Sequence, residues 1–150
     1  MSNEPGLDPR GPRFAATITA IVAAVVLITG SGWLLAAQAV VFAIGGFIGI
    51  RYAPYSVLYR RLVAPRLAPP TEREPAAPVQ FSQALGFGFA AVGAVGYLTG
   101  FTTVGIVAAA LAFAAAFLNA AFDFCMGCEV YGLIIRFTKR GTTTRQGATA

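Results

Sequence analysis

Cys125 and Cys128 are the side chains of this 150-residue chain best placed to do chemistry. Their C-x-x-C spacing suits a thiol pair that opens and closes. On a continuous helix, positions i and i+3 share a face about 5–6 Å apart, inside the Cα separation a disulfide accepts. Gly127, between them, gives the backbone freedom to close. Asp123 and Glu129 flank the pair. Three chemistries fit these residues. Cys125 and Cys128 can act as a dithiol/disulfide pair, one attacking and the other resolving, with Asp123 as proton relay. They can hold a metal, helped by Asp123 and Glu129 or by a second C-x-x-C in a dimer. Or they can pack as two small hydrophobes. The redox reading calls for no cofactor.

Thiolate chemistry depends on where the helix ends. If one helix runs through the cysteines, its C-terminus together with Asp123 and Glu129 disfavours a thiolate. If the chain breaks near Phe124 and a new helix starts at the cysteines, a helix N-terminus stabilises the thiolate instead. Val130, Tyr131, Leu133, Ile134 and Phe137 would then form that helix's membrane face. The residue pattern leaves both geometries open.

There is no histidine, which removes imidazole acid–base catalysis and histidine-ligated metals. No glycine-rich phosphate loop or serine-centred nucleophile is present. Hydrophobic residues make up 57% and charged ones 11%, against about 25% charged in soluble domains. So apolar a chain points to lipid as its surroundings. The net charge is +5, but the eleven basic residues lie at Arg10 and Arg13, from Arg51 to Arg73, and from Arg136 to Arg145. They fall between or outside the apolar runs, which suits membrane orientation and not nucleic-acid binding.

The elements that must position the cysteines are apolar runs of near-bilayer length. The pattern predicts an all-α polytopic membrane protein with four transmembrane helices, at about 14–31, 33–51, 81–99 and 102–124. They form two hairpins turning at Gly30-Ser31-Gly32 and Thr99-Gly100. A polar N-terminal arm covers 1–13 and is read as uncleaved, a basic linker covers 52–80, and a polar tail covers 139–150. Within the linker, Tyr55, Leu58 and Leu62 share a helical face away from Arg60 and Arg61, predicting an interfacial helix. Pro65, Pro69, Pro70, Pro75 and Pro78 then exclude a continuous helix up to Phe81. The two hairpin turns hold no basic residue, so the positive-inside rule puts the linker, arm and tail, both termini and the cysteine pair on the cytoplasmic side of the cytoplasmic membrane.

Gly45-x-x-x-Gly49, Gly96-x-x-x-Gly100 and the Ala112, Ala116, Ala120 series predict close helix packing within the bundle. Leu27-Ile28-Thr29-Gly30 and Tyr97-Leu98-Thr99-Gly100 echo each other at the two hairpin turns. Gln38, Asn119 and Asp123 are the polar groups in or beside the spans, suited to interhelical hydrogen bonds or to a polar path.

Three stretches carry a family resemblance: Asp8-Pro9-Arg10-Gly11-Pro12-Arg13-Phe14; Ala53-Pro54-Tyr55 with Arg60-Arg61; and Asp123-Phe124-Cys125-Met126-Gly127-Cys128-Glu129. Over most of residues 7–137 the chain resembles the bacterial membrane family known as domain of unknown function 4395, with an actinobacterial residue usage. Members of that family tend to occur beside thioredoxin-like and rhodanese-like proteins. The resemblance therefore implies a thiol role for Cys125 and Cys128 with such a partner. The other function classes the sequence allows are a non-catalytic membrane scaffold and a small transporter built on Gln38, Asn119 and Asp123.

Overall fold

A computed structural model describes residues 6–147; the start of the N-terminal arm (1–5) and the end of the tail (148–150) lie outside them. The described residues are all-α apart from one isolated antiparallel bridge between Leu7 and Glu74. The α-helices are α1 (Arg10–Thr29), α2 (Gly32–Ala43), α3 (Pro54–Leu58), α4 (Ala76–Thr99), α5 (Thr102–Phe122) and α6 (Met126–Gly147).

Three of them, α1, α4 and α5, are long and apolar enough to cross a membrane. The apolar helix expected over 33–51 is shorter. It runs as α2 and a π-helical turn, Ile44–Ile48, to Gly49 at φ 145°, where it stops. Its 17 residues span about 25 Å. A 3₁₀ turn, Ile50–Tyr52, follows.

Two helix starts differ from the residue pattern. α1 begins at Arg10 and α4 at Ala76, each with a proline (Pro12, Pro78) inside its opening turn. There a proline removes no intrahelical hydrogen bond, because the opening N–H groups have no partner. Pro78 therefore does not hold the linker open as far as Phe81.

The helices form an antiparallel bundle. Along α4, α2 and its π-helical extension pack so that Gly32 meets Leu98, Leu35 meets Gly93, Phe42 meets Gly86 and Gly46 meets Ala84. Between α4 and α5, Gly93 meets Ala108 and Gly96 meets Gly105. α1 packs chiefly on α5 and α2 chiefly on α4, with a slighter contact between α1 and α2. The backbones approach closely: a Cβ on Gly96 would stand 2.8 Å from the Gly105 nitrogen. Val26, Leu35, Ala39, Phe42, Ala90, Ala94 and Ala109 fill the centre. Ile21, Val40, Val92, Val107 and Leu111 face outward.

The two small-residue pairs do not work as units. Gly45 and Gly96 are interface positions, whereas Gly49 and Gly100 (φ 91°) terminate helices. Ala112 and Ala116 are buried as the series predicts. The echoed Thr-Gly turns do share geometry. Thr29 and Thr99 each bond the carbonyl four residues back, and Gly30 and Gly100 each take left-handed backbone.

This topology gathers the charged residues from Asp8 to Glu129 at one end of the bundle, where α1 and α4 start and α2 and α5 finish; α6, which carries the later ones, starts there too. The opposite turns carry no charge and present Trp33, 77% exposed, and Phe101, 69% exposed.

Candidate functional site

Asp123 closes α5. It is the one described non-glycine residue with positive φ (56°), a conformation aspartate tolerates better than most residues. Its N–H donates to the Asn119 carbonyl at 3.1 Å, and the Phe124 N–H donates to that of Leu118 at 3.3 Å. Arg13 braces the same turn. Its Nη2 donates to the Ala120 carbonyl at 3.3 Å, and its Nε lies 3.9 Å from Asp123 Oδ1.

The helix therefore breaks before the cysteines, and α6 starts on them. Of the two geometries the pattern allowed, the chain adopts the one with a helix N-terminus at the pair. The opening bond of α6 runs from the Glu129 N–H to the Cys125 carbonyl at 3.1 Å. Cys125 thus occupies the capping position, and its sulfur accepts the Cys128 N–H at 3.2 Å, as a serine or aspartate oxygen does in a usual cap. A second donor comes from α4: the Ser82 hydroxyl reaches Cys125 Sγ at 3.5 Å. Cys125 and Cys128 are joined as a disulfide, their Cα atoms 5.2 Å apart, and both are half-buried.

Gly127 explains how α4 comes so near. A Cβ there would lie 2.7 Å from Ser82 Cα, so only glycine lets the opening turn of α6 rest on α4. Phe81 and Tyr131, with ring centroids 5.6 Å apart, extend the contact. Beyond it Val130, Leu133, Ile134 and Phe137 remain exposed along α6, at the spacing of one apolar helical face. Tyr131, expected on that face, turns inward to Phe81 instead.

The sequence-predicted site residues separate into two groups. Cys125 and Cys128 are bonded to each other, whereas Asp123 stands on the preceding turn with its side chain 61% exposed and paired to Arg13. Among the described residues, no group of three or more cysteines and acids gathers in a way that would hold a metal ion. Gln38 is engaged elsewhere: its Nε2 donates to Thr19 Oγ1 at 3.4 Å and its Oε1 accepts the Tyr55 hydroxyl at 2.7 Å. Ser82 was not legible as a site residue, because nothing in its local pattern marks a contact 43 positions along the chain.

The same end of the bundle holds a polar lock. Asp8 accepts from the Arg10 backbone N–H (3.0 Å) and side chain (3.1 Å) and from the Tyr59 hydroxyl (2.8 Å). Arg10 Nη2 also donates to the Ala68 carbonyl at 2.9 Å. Burial opposes ionisation of Asp8, but the bonds from Arg10 and Tyr59 together prevail and hold its carboxyl below the ordinary range. Burial, and then the adjoining Asp8, push the Tyr59 phenol up. Tyr59 is the buried anchor of the linker, packed on Phe14, while Leu58 and Leu62 are exposed.

A profile described as a domain of unknown function (DUF4395) matches residues 7–136. The chain belongs to the DUF4395 family. The matched segment takes in the Asp8–Tyr59 lock, the bundle and the disulfide at the start of α6. No curated protein and no solved structure matches the chain.

Proposed function

We propose that this protein spans the cytoplasmic membrane four times, with both termini in the cytoplasm. There Cys125 and Cys128 work as a dithiol/disulfide pair exchanging with a soluble thioredoxin-like or sulfurtransferase-like protein. One observation carries the redox reading: a disulfide at a helix N-terminus, half-buried at the charged end of an apolar bundle. A helix N-terminus lowers the cost of a thiolate, and the cytosol keeps disulfides transient. Three helices of membrane length support the topology. The fourth crossing, Gly32–Ile48, is short, and local thinning of the bilayer together with interfacial Trp33 covers the difference. The linker lies on the membrane through Leu58 and Leu62, and α6 through Val130, Leu133, Ile134 and Phe137. Asp123, exposed just ahead of Cys125, is assigned the proton relay.

A redox titration of the purified full chain against dithiothreitol, read by alkylation and mass spectrometry, tests the function. A reversible two-electron transition between Cys125 and Cys128 is expected. A disulfide that yields only when the protein unfolds contradicts the reading.

A non-catalytic scaffold is the second reading, favoured by the way Gly127 and the Cys125–Ser82 contact fasten α6 to α4. It expects a single thiol state under all conditions.

A further inference from the structure

We infer that Cys125 is the attacking sulfur and that Ser82 is the positioning residue that holds its thiolate. This rests on the dithiol reading above and assigns the two cysteines different roles within it.

The pair is asymmetric. Both described polar donors near the disulfide, the Cys128 N–H at 3.2 Å and the Ser82 hydroxyl at 3.5 Å, go to Cys125 Sγ. Among the described hydrogen bonds none goes to Cys128 Sγ. Cys125 also caps α6, facing its unpaired N–H groups, while Cys128 lies inside the opening turn. Sulfur held by two donors at the positive end of a helix is stabilised as an anion. Neither donor depends on the disulfide, since one is backbone in α6 and the other a side chain fixed on α4. The charged groups on the surrounding elements are few. Asp123 on the preceding turn is paired with Arg13 of α1, Glu129 lies on α6, and α4 has no charged residue from Ala76 to Thr99.

The exchange then runs as follows. Cys125 loses its proton to solvent by way of Asp123, the assigned relay, and the thiolate attacks one sulfur of a protein disulfide. An intermolecular Cys125 S–S bond forms, and the partner's other sulfur leaves as a thiolate that takes up a proton. Cys128, deprotonated in turn, attacks Cys125 Sγ. The Cys125–Cys128 bond forms, the intermolecular bond breaks, and the partner's second sulfur leaves and is protonated. The pair loses two electrons and the partner's disulfide gains them; the reverse sequence oxidises a partner dithiol.

The test uses the full chain in detergent with one thiol at a time, Cys128→Ser or Cys125→Ser, each with and without Ser82→Ala. Serine at position 125 still caps α6, so the comparison does not remove the helix start. The rate of iodoacetamide alkylation is followed against pH. Cys125 should titrate below the ordinary thiol value of about 8.5. Ser82→Ala should raise that midpoint and slow alkylation at pH 7 by roughly 3- to 10-fold, the scale of one ordinary hydrogen bond. Cys128 should titrate as an ordinary thiol and ignore the substitution.

A lower midpoint for Cys128, or a Ser82→Ala change that moves both thiols equally or neither, overturns the inference. Thermal unfolding of each variant shows whether Ser82→Ala acts through the fold. A shift in Cys125 alone at unchanged stability supports positioning, and a common shift at reduced stability counts against it. The dithiothreitol titration of the wild-type pair separates the two claims. A cycling pair whose acidic thiol is Cys128 leaves the dithiol reading standing and removes this inference. A non-cycling pair removes the reading itself.

Discussion

Gly127 and Asp8 show how single residues fix the charged end of the bundle. With Gly127→Ala, a methyl group would be driven into Ser82 backbone, so α6 must lift from α4. The expected cost is about 1–3 kcal/mol, read as a lower unfolding midpoint together with faster reduction of the disulfide by dithiothreitol. Asp8→Asn removes a charge-assisted pair that ties the N-terminal arm to the linker. It should cost about 1–3 kcal/mol locally and speed trypsin cleavage at neutral pH in the 66–73 segment, which is already largely exposed. The sign of the pH dependence follows from the lowered carboxyl of Asp8. Its contribution is complete above the unfolded value of about 3.9 and is lost as pH falls through the lower folded value. Hydrogen exchange of residues 6–10, corrected for intrinsic rate, should therefore accelerate at the acid end only. Asp123→Asn keeps a side chain that tolerates left-handed backbone. If Asp123 relays the proton, exchange with a model disulfide should slow at least about tenfold with the turn intact.

At the scale of the elements, the apolar helices were legible in the sequence because lipid imposes long uninterrupted hydrophobic runs. Their ends were not. Residues 76–80, Gln80 among them, read as linker, yet they form the opening of α4, where the leading helix N–H groups need no partner and a proline is harmless. The cysteine pair was legible from its spacing. Its geometry depended on whether Phe124 lies inside a helix or beside a break, and that was decided by Asp123 in left-handed backbone with Arg13 bracing it. Tyr59 escaped notice for a similar reason. Its burial comes from Asp8 and Phe14, both distant in sequence. The packing account makes its own prediction: Gly96→Ala puts a methyl group against Gly105 backbone and should lower the unfolding midpoint in detergent, at about 1–3 kcal/mol. An unchanged midpoint would show that α4 and α5 pack differently.

For the whole molecule, the division between a charged end and an uncharged end joins fold to function. The lock, the linker turns and the disulfide all sit where the described charges gather; in the proposed orientation, a soluble partner approaching from the cytoplasm would meet Cys125 and Cys128 together. The most direct measurement is the thiol state of Cys125 and Cys128 in native membranes, acid-quenched, alkylated and read by mass spectrometry. The account predicts a mixed population of dithiol and disulfide that moves with added oxidant or reductant. Two freely alkylated thiols under every condition, or a disulfide that never changes, would contradict it.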